Sequence, residues 1–532
     1  MQLATLWAAG VLVVGTLACA DDPTGLLAPR QPSLSSAAAT DPLSKVNRLS
    51  PSLEQKVKLL RADLEARGYA VARGYWTLWG VEECRYPIQA LGYCYGNNPT
   101  APYALAVLPQ WKDEFVDQPL HHAITQAQRN MSATYRLDRQ EALVVLAELP
   151  PTGRYFGIGT NVFTREGVLN PADPILPKVA ADPQLQSILF GVSPNPSRVM
   201  MIASIGNAIN NVVVERQTGE PWQSGQQRFV VITPDADVGG AMTAALVRAG
   251  VPPSAVFTEP VSPNLVRVGL GREADDLFTY MRYAMPNDSA AGEQWREQLP
   301  LAVLRVRDIS GSRPANPFAI PAYTQRGWNY DETTLAGDLQ ALVNAVRARW
   351  NQPSAPVAAF FSAFKFLDLV GQHCLGFPDP NRGPMDCLGD TQDADYQISQ
   401  SLHIDNGEVI AVLGTLATET GNATYVSVSV NWFPRLVGVK NISDTDLTGT
   451  ASDFAGAIQH DARLFYAHYL ARDCTGLQPC VEISQKLVPS GETIKLIQRN
   501  YVSPGTSAGP DPAKLLNPIA IVLDGRQRPT PP

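Results

Sequence analysis

Acidic and histidine side chains near turn sequences are where this chain could do chemistry. Thr233-Pro234-Asp235-Ala236-Asp237 follows a run of strand formers and opens a helical pattern, and Glu259 ends the next apolar run. Ligands gather at the carboxyl ends of strands in open α/β sheets, and carboxylates there can act as general acid and base. Asp235 and Asp237 equally suit a helix N-cap. His403 lies on the polar side of an alternating segment further on. Asp235, Asp237, Glu259 and His403 form the candidate catalytic set, with His373 an alternative to His403.

A denser polar group, His373, Asp386, Asp390, Asp393 and Asp395, surrounds a loop bounded by Cys374 and Cys387. Oxygen ligands at short spacing on a pinned loop could hold Ca2+, with Asp390, Asp393 and Asp395 as the ligands. The D-x-D-x-D spacing, the glycine and the distal Glu of an EF-hand are absent, so a solvated acidic turn competes with this reading. No other cofactor is expected.

Two motifs lack their context. Gly505-Thr506-Ser507-Ala508-Gly509 fits G-x-S-x-G, but Pro504 and Pro510 bracket it and no His follows, whereas a nucleophile elbow needs strand, turn and helix with a partner His. Gly269-Leu270-Gly271 reads as the turn between a strand at 265–268 and a helix, the first half of a dinucleotide fingerprint, yet no strand-ending acid stands twenty residues on. Adjacent His121 and His122 cannot share a face, and His460 and His468 are two helical turns apart, too far for one metal.

The elements that would position these groups follow from periodicity. Ser50 and Pro51 start a helix carrying Leu53, Val57, Leu60 and Leu64 on one face, with Gly68 at its stop. Strands are expected at 142–146, 155–163, 228–233, 255–258 and 301–306, and a helix at 238–249. Leu277, Tyr280, Met281 and Ala284 have helical spacing, as do Leu335, Leu339, Leu342, Val346 and Trp350. Asn351-Gln352-Pro353-Ser354 breaks the pattern. Beyond it, alternation at 396–404, a turn at Asp405-Asn406-Gly407, and strands at 409–416 and 426–430 read as a meander, with a long helix at 452–471 covering one face.

The expected fold class is therefore α/β plus α+β: a mixed sheet with flanking helices, then a β-meander-rich C-terminal part under a long helix. The expected organisation is a signal peptide at 1–20, a flexible linker at 21–47, an α/β domain at 48–352 and a β-rich α+β domain at 353–532.

The cysteines indicate the compartment. Setting Cys19 aside leaves six in three close pairs, Cys84 with Cys94, Cys374 with Cys387, and Cys474 with Cys480. Each pair encloses turn-rich sequence and none has zinc-ligand spacing, so all six are expected as disulfides that pin surface loops. Leu3 to Ala20 has the length and texture of a secretion signal. Thr16-Leu17-Ala18-Cys19 resembles a bacterial lipobox, which makes Cys19 a candidate lipidation site; Ala18-Cys19-Ala20 also fits ordinary signal cleavage.

A chain of 532 residues with 45% hydrophobic and 17% charged residues can build two or three folded units. A net charge of -8 without a basic run excludes nucleic acid, and no later apolar run is long enough to span a membrane, so membrane contact would come only through an N-terminal lipid. The expectation is an exported protein, either in the cell envelope on a lipid anchor or secreted to the periplasm or beyond. It would be a hydrolase acting on an extracytoplasmic small molecule or polymer, or else a non-catalytic ligand-binding or structural surface lipoprotein. A deep pocket with convergent titratable groups favours the enzyme, and a flat or aromatic-lined groove favours the binder.

Overall fold

The computed structural model describes residues 47–528, apart from 119, 191–194, 196, 312, 378–381 and 434. The expected signal segment, Cys19 and nearly all of the expected linker lie outside the described residues.

Helix Pro51–Ala66 begins where expected: the Ser50 hydroxyl accepts from the Leu53 amide, and Leu53, Val57, Leu60 and Leu64 are buried. Each such side chain contributes about 1.5–3 kcal/mol on burial. Asp235 caps helix Ala236–Arg248 in the same way, its carboxylate accepting from the amides of Asp237 and Val238. Both helices pack on one face of a large curled sheet.

That first sheet has eleven strands, all before residue 309. They are β1 (Tyr69–Trp79), β2 (Tyr103–Pro109), β3 (Met131–Ser132), β4 (Glu141–Glu148), β5 (Gly153–Glu166), β6 (Arg198–Ser204), β7 (Ile209–Asn210), β8 (Gln227–Thr233), β9 (Val256–Pro260), β10 (Asp276–Pro286) and β11 (Leu301–Asp308). The order is β6-β5-β10-β2-β1-β11-β4-β8-β9, with β3 beside β2 and β7 beside β5. Only β8 and β9 run parallel, so this is a mixed, largely antiparallel sheet and not an open parallel one.

The second sheet has ten strands, all after residue 356: β12 (Val357–Ser362), β13 (Ala394–Ser399), β14 (Leu402–His403), β15 (Glu408–Thr415), β16 (Tyr425–Phe433), β17 (Val437–Ser443), β18 (Phe465–Ala471), β19 (Cys480–Glu482), β20 (Thr493–Tyr501) and β21 (Ile519–Asp524). Its order is β17-β16-β20-β13-β12-β21-β15-β18-β19, with β14 beside β20.

Period-two side-chain alternation builds the layers. In β4, Leu143, Val145 and Ala147 face a central core shared with the second sheet, while Ala142, Val144 and Leu146 lie under the two helices. In β15, Ile410 and Val412 face one core, while Val409, Ala411 and Leu413 lie under helix Ala336–Arg349. That helix precedes the second sheet in sequence and covers it in space.

The mixed class, with helices on β-rich sheets, is as expected; several local readings are corrected. Residues 452–471 are not a helix: a 3-10 turn, Ser452–Ala457, leads to a second turn capped by Asp461 and then to β18. The aromatics Phe465, Tyr466 and Tyr469 favour a strand, and helix Ala336–Arg349 does the covering expected of 452–471. The Leu277–Ala284 pattern belongs to β10, a strand buried on both faces, whose apolar run satisfies helical spacing by coincidence. Residues 265–268 form no strand: Leu265 and Val266 end a turn on the Ser262 carbonyl and 267–268 are irregular, so Gly269-Leu270-Gly271 joins no strand to a helix. The meander is also corrected: β13 pairs with β12 and β20, and β15 with β18 and β21, so Asp405-Asn406-Gly407 closes no hairpin. Nor is β13 half-buried, since all six of its residues are buried.

The three local cysteine pairs are disulfides, with Cα–Cα distances of 5.2 Å for Cys84–Cys94, 5.7 Å for Cys374–Cys387 and 5.7 Å for Cys474–Cys480. The first two are buried, not surface clasps.

Candidate functional site

Where the two sheets face each other, alternate residues of several strands enclose a cavity. β1 contributes Trp79, β2 Tyr103 and Leu105, β5 Asn161 and Phe163, and β10 Phe278, Tyr280 and Arg282. From the second sheet come Tyr396 and Ile398 of β13 and Lys495, Ile497 and Arg499 of β20. About 100 Å³ of the cavity is open to the centre of a water molecule. The walls are mainly apolar, and the rings touch edge to face: Trp79 with Tyr103, Tyr103 with Tyr280, and Tyr95 with Phe163.

Two disulfides brace the walls. Cys94 is followed by the lining residues Tyr95, Gly96 and Asn97, and Cys387 by Leu388 and Gly389. The Cys94 and Gly96 amides donate to the carbonyls of Arg435 and Leu436, which ties the first loop to the second sheet.

Among the described residues the cavity's titratable groups are phenols and cations, and no carboxylate or imidazole lines it. Arg282 pairs with Asp393 and also donates to Tyr155 Oη and Thr391 Oγ1. Lys495 pairs with Asp182, the N-cap of helix Pro183–Leu189. Arg499 donates to Ser429 Oγ and to the Gly96 carbonyl. Burial lowers the Lys495 pKa against the raising effect of Asp182.

No family model matches this chain, and no curated protein matches it. Among solved structures it is similar to the crystal structure of an uncharacterized protein from Burkholderia cenocepacia, at 10% identity, covering 89% of this chain and 88% of that one with a TM-score of 0.34. A likeness that loose carries no argument about fold or chemistry.

The four candidate catalytic residues all lie outside the cavity lining. Asp235 is buried, and beyond its cap its Oδ2 accepts from the Asn316 amide at 2.6 Å. Asp237 is exposed and accepts from Asn316 Nδ2. Glu259 is buried, accepts from the Thr160 amide and hydroxyl at 2.8 Å each, and is pushed up to about 7 by burial. His403 is exposed on β14, opposite Thr493 of the second sheet. His373 bonds Asp368, both just before the loop closed by Cys374 and Cys387. His460 bonds the Asp338 carboxylate, and His468 is buried in β18, so the shared helical face does not exist.

The acidic cluster is not a solvated turn. Asp390, Asp393 and Asp395 are at most 1% exposed. Asp390 accepts from Ser204 and the Gly371 amide, and Asp393 from Arg282, Tyr155 and Asn210. Asp395 accepts from Ser362 and feels the Arg326 charge. Burial pushes Asp390 and Asp395 up to about 6 and Asp386 to about 7. Donors from the protein occupy most of these oxygens, and among the described residues no three His, Cys, Asp or Glu converge as a metal site. Asp390 and Asp393 join the two sheets from inside, while Asp395 bonds Ser362 within the second sheet.

Ser507 of the G-x-S-x-G match lies in an irregular loop, without the strand and helix of an elbow. The cavity residues were missed for a definite reason. Reading β10 as a helix hid Phe278, Tyr280 and Arg282, and the alternation Lys495-x-Ile497-x-Arg499 was the available signal in β20.

Proposed function

We propose that this is an exported binding protein that takes a small apolar molecule into the cavity between its two sheets. The observation that carries the reading is the cavity's lining of aromatic and aliphatic side chains, with few polar groups, as in small-molecule binding sites. The titratable groups that converge there are cations and phenols, so among the described residues the lining holds no carboxylate or imidazole base. The hydrolase reading loses its motivation because Asp235, Asp237, Glu259 and His403 do not meet there.

Export is supported by three disulfides, which persist in oxidising compartments. Among the described residues no helix is long and apolar enough to cross a membrane. An anchor through acylated Cys19 belongs to this proposal and is tested by mass spectrometry of the mature N-terminus.

Titration with N-phenyl-1-naphthylamine, a neutral apolar fluorophore, tests the binding reading. Saturable one-site enhancement is expected, lost in Ile497→Trp, whose indole fills the space. Folded wild type that shows no saturable binding overturns it. So does turnover of nitrophenyl esters that stops in Asp235→Asn.

A further inference from the structure

Among the described residues three cations and no acid line the cavity. Two of the three are neutralised within the protein, Arg282 by Asp393 and Lys495 by Asp182. Arg499 is 5% exposed, its hydrogen bonds go to a neutral hydroxyl and a carbonyl, and no carboxylate among the described residues lies within ion-pair distance of it. A buried charge without a counter-charge is costly, and a ligand that supplies one recovers that cost on binding.

The surroundings of Arg499 suit an anion. Its guanidinium carbon is 5.7 Å from the Tyr396 ring centre, and Arg282 bridges toward the same Tyr396 hydroxyl. Tyr103 stands directly opposite Arg282 in the β2–β10 register, with Tyr280 in edge contact. The hydroxyls of Tyr103 and Tyr280 hydrogen-bond no described residue, which leaves two donors uncommitted. Burial raises both phenols, so they stay protonated as donors.

We infer that the ligand is an apolar molecule ending in a carboxylate, the carboxylate held by Arg499 with the Tyr103 and Tyr280 hydroxyls and the apolar body lying along Ile497. This rests on the proposed apolar cavity and specifies its occupant. A monoanion is assigned because one cation is unpaired. Along β20 the lining residues recur every second position, so Ile497 follows Arg499 by roughly 7 Å, a few methylene lengths.

The test is displacement of N-phenyl-1-naphthylamine by decanoate, methyl decanoate and decanol. Decanoate is expected to compete at least tenfold more tightly than either neutral analogue. In Arg499→Gln that advantage should vanish while decanol competes as before. Equal competition by all three in wild type overturns the carboxylate assignment and leaves the apolar cavity standing; failure of the fluorophore itself to bind overturns both. If Arg499→Gln does not fold, the wild-type comparison decides alone, and Tyr103→Phe with Tyr280→Phe should weaken decanoate selectively.

Discussion

Arg282 Nη2 and Asp393 Oδ1 lie 3.1 Å apart, and neither side chain is more than 3% exposed. Arg282 belongs to β10 of the first sheet, and Asp393 immediately precedes β13 of the second. The second oxygen of Asp393 accepts from Tyr155 Oη and Asn210 Nδ2, so one carboxylate collects groups from several elements of the first sheet. The pair is a bolt between the halves of the molecule.

Removing one partner of a buried pair leaves the other charged and uncompensated. Arg282→Met should lower unfolding free energy by about 3–5 kcal/mol in denaturant titration. The double variant Arg282→Met with Asp393→Leu should recover part of that loss. A single-variant loss below about 1 kcal/mol would show that the pair does not join the sheets.

Glu259 gives a pH signature. Its native pKa is raised by burial to about 7, against 4.5 for the free side chain. The native state therefore favours the protonated form, so its contribution is fully present below pH 4.5, is lost as pH rises toward 7, and is constant above. The size is about 3 kcal/mol. Glu259→Gln should flatten that part of the stability curve without abolishing the slope, because Asp386, Asp390 and Asp395 are raised in overlapping ranges. An unchanged slope in thermal melts from pH 4.5 to 8 would refute the assignment.

The disulfides should separate by function. Cys374→Ser with Cys387→Ser opens a bridge across a separation of 13 and should cost about 3 kcal/mol, together with weaker fluorophore binding because Leu388 and Gly389 line the cavity. Cys474→Ser with Cys480→Ser, a separation of 6, should cost about 2 kcal/mol and leave binding intact. Chemical denaturation paired with titration distinguishes them; equal binding losses would contradict the bracing role.

Helix Ala336–Arg349 should support the second sheet and not the first. Leu342 is fully buried against the β15 face formed by Val409, Ala411 and Leu413. Leu342→Ala should cost about 2–5 kcal/mol and speed amide exchange in β15 while β4 stays protected. Faster exchange in β4 instead would place the helix's support on the wrong sheet.

The parts of the fold legible in the sequence were those whose cause is near in the chain. The Ser50 and Asp235 caps bond amides two or three residues away. β4, β5, β8 and β11 were recognisable because their apolar runs were bounded by turns. β10 and 452–471 failed where a doubly buried strand loses its alternation and an aromatic strand imitates a helical stripe. Asp390, Asp393 and Asp395 looked like surface acids because short polar spacing says nothing about what packs over it.

By itself the sequence determined the local covalent pairing of the cysteines, the starts of the helices capped by Ser50 and Asp235, the mixed class and the lack of a basic run, since each depends on neighbours or on totals. Strand order, the burial of the aspartates and the cavity were decided only in three dimensions. Trp79 and Arg499 face the same space from opposite ends of the chain. That meeting depends on which strands pair, and non-local hydrogen bonding and core packing select the pairing through the whole assembly, a choice no short window of residues encodes.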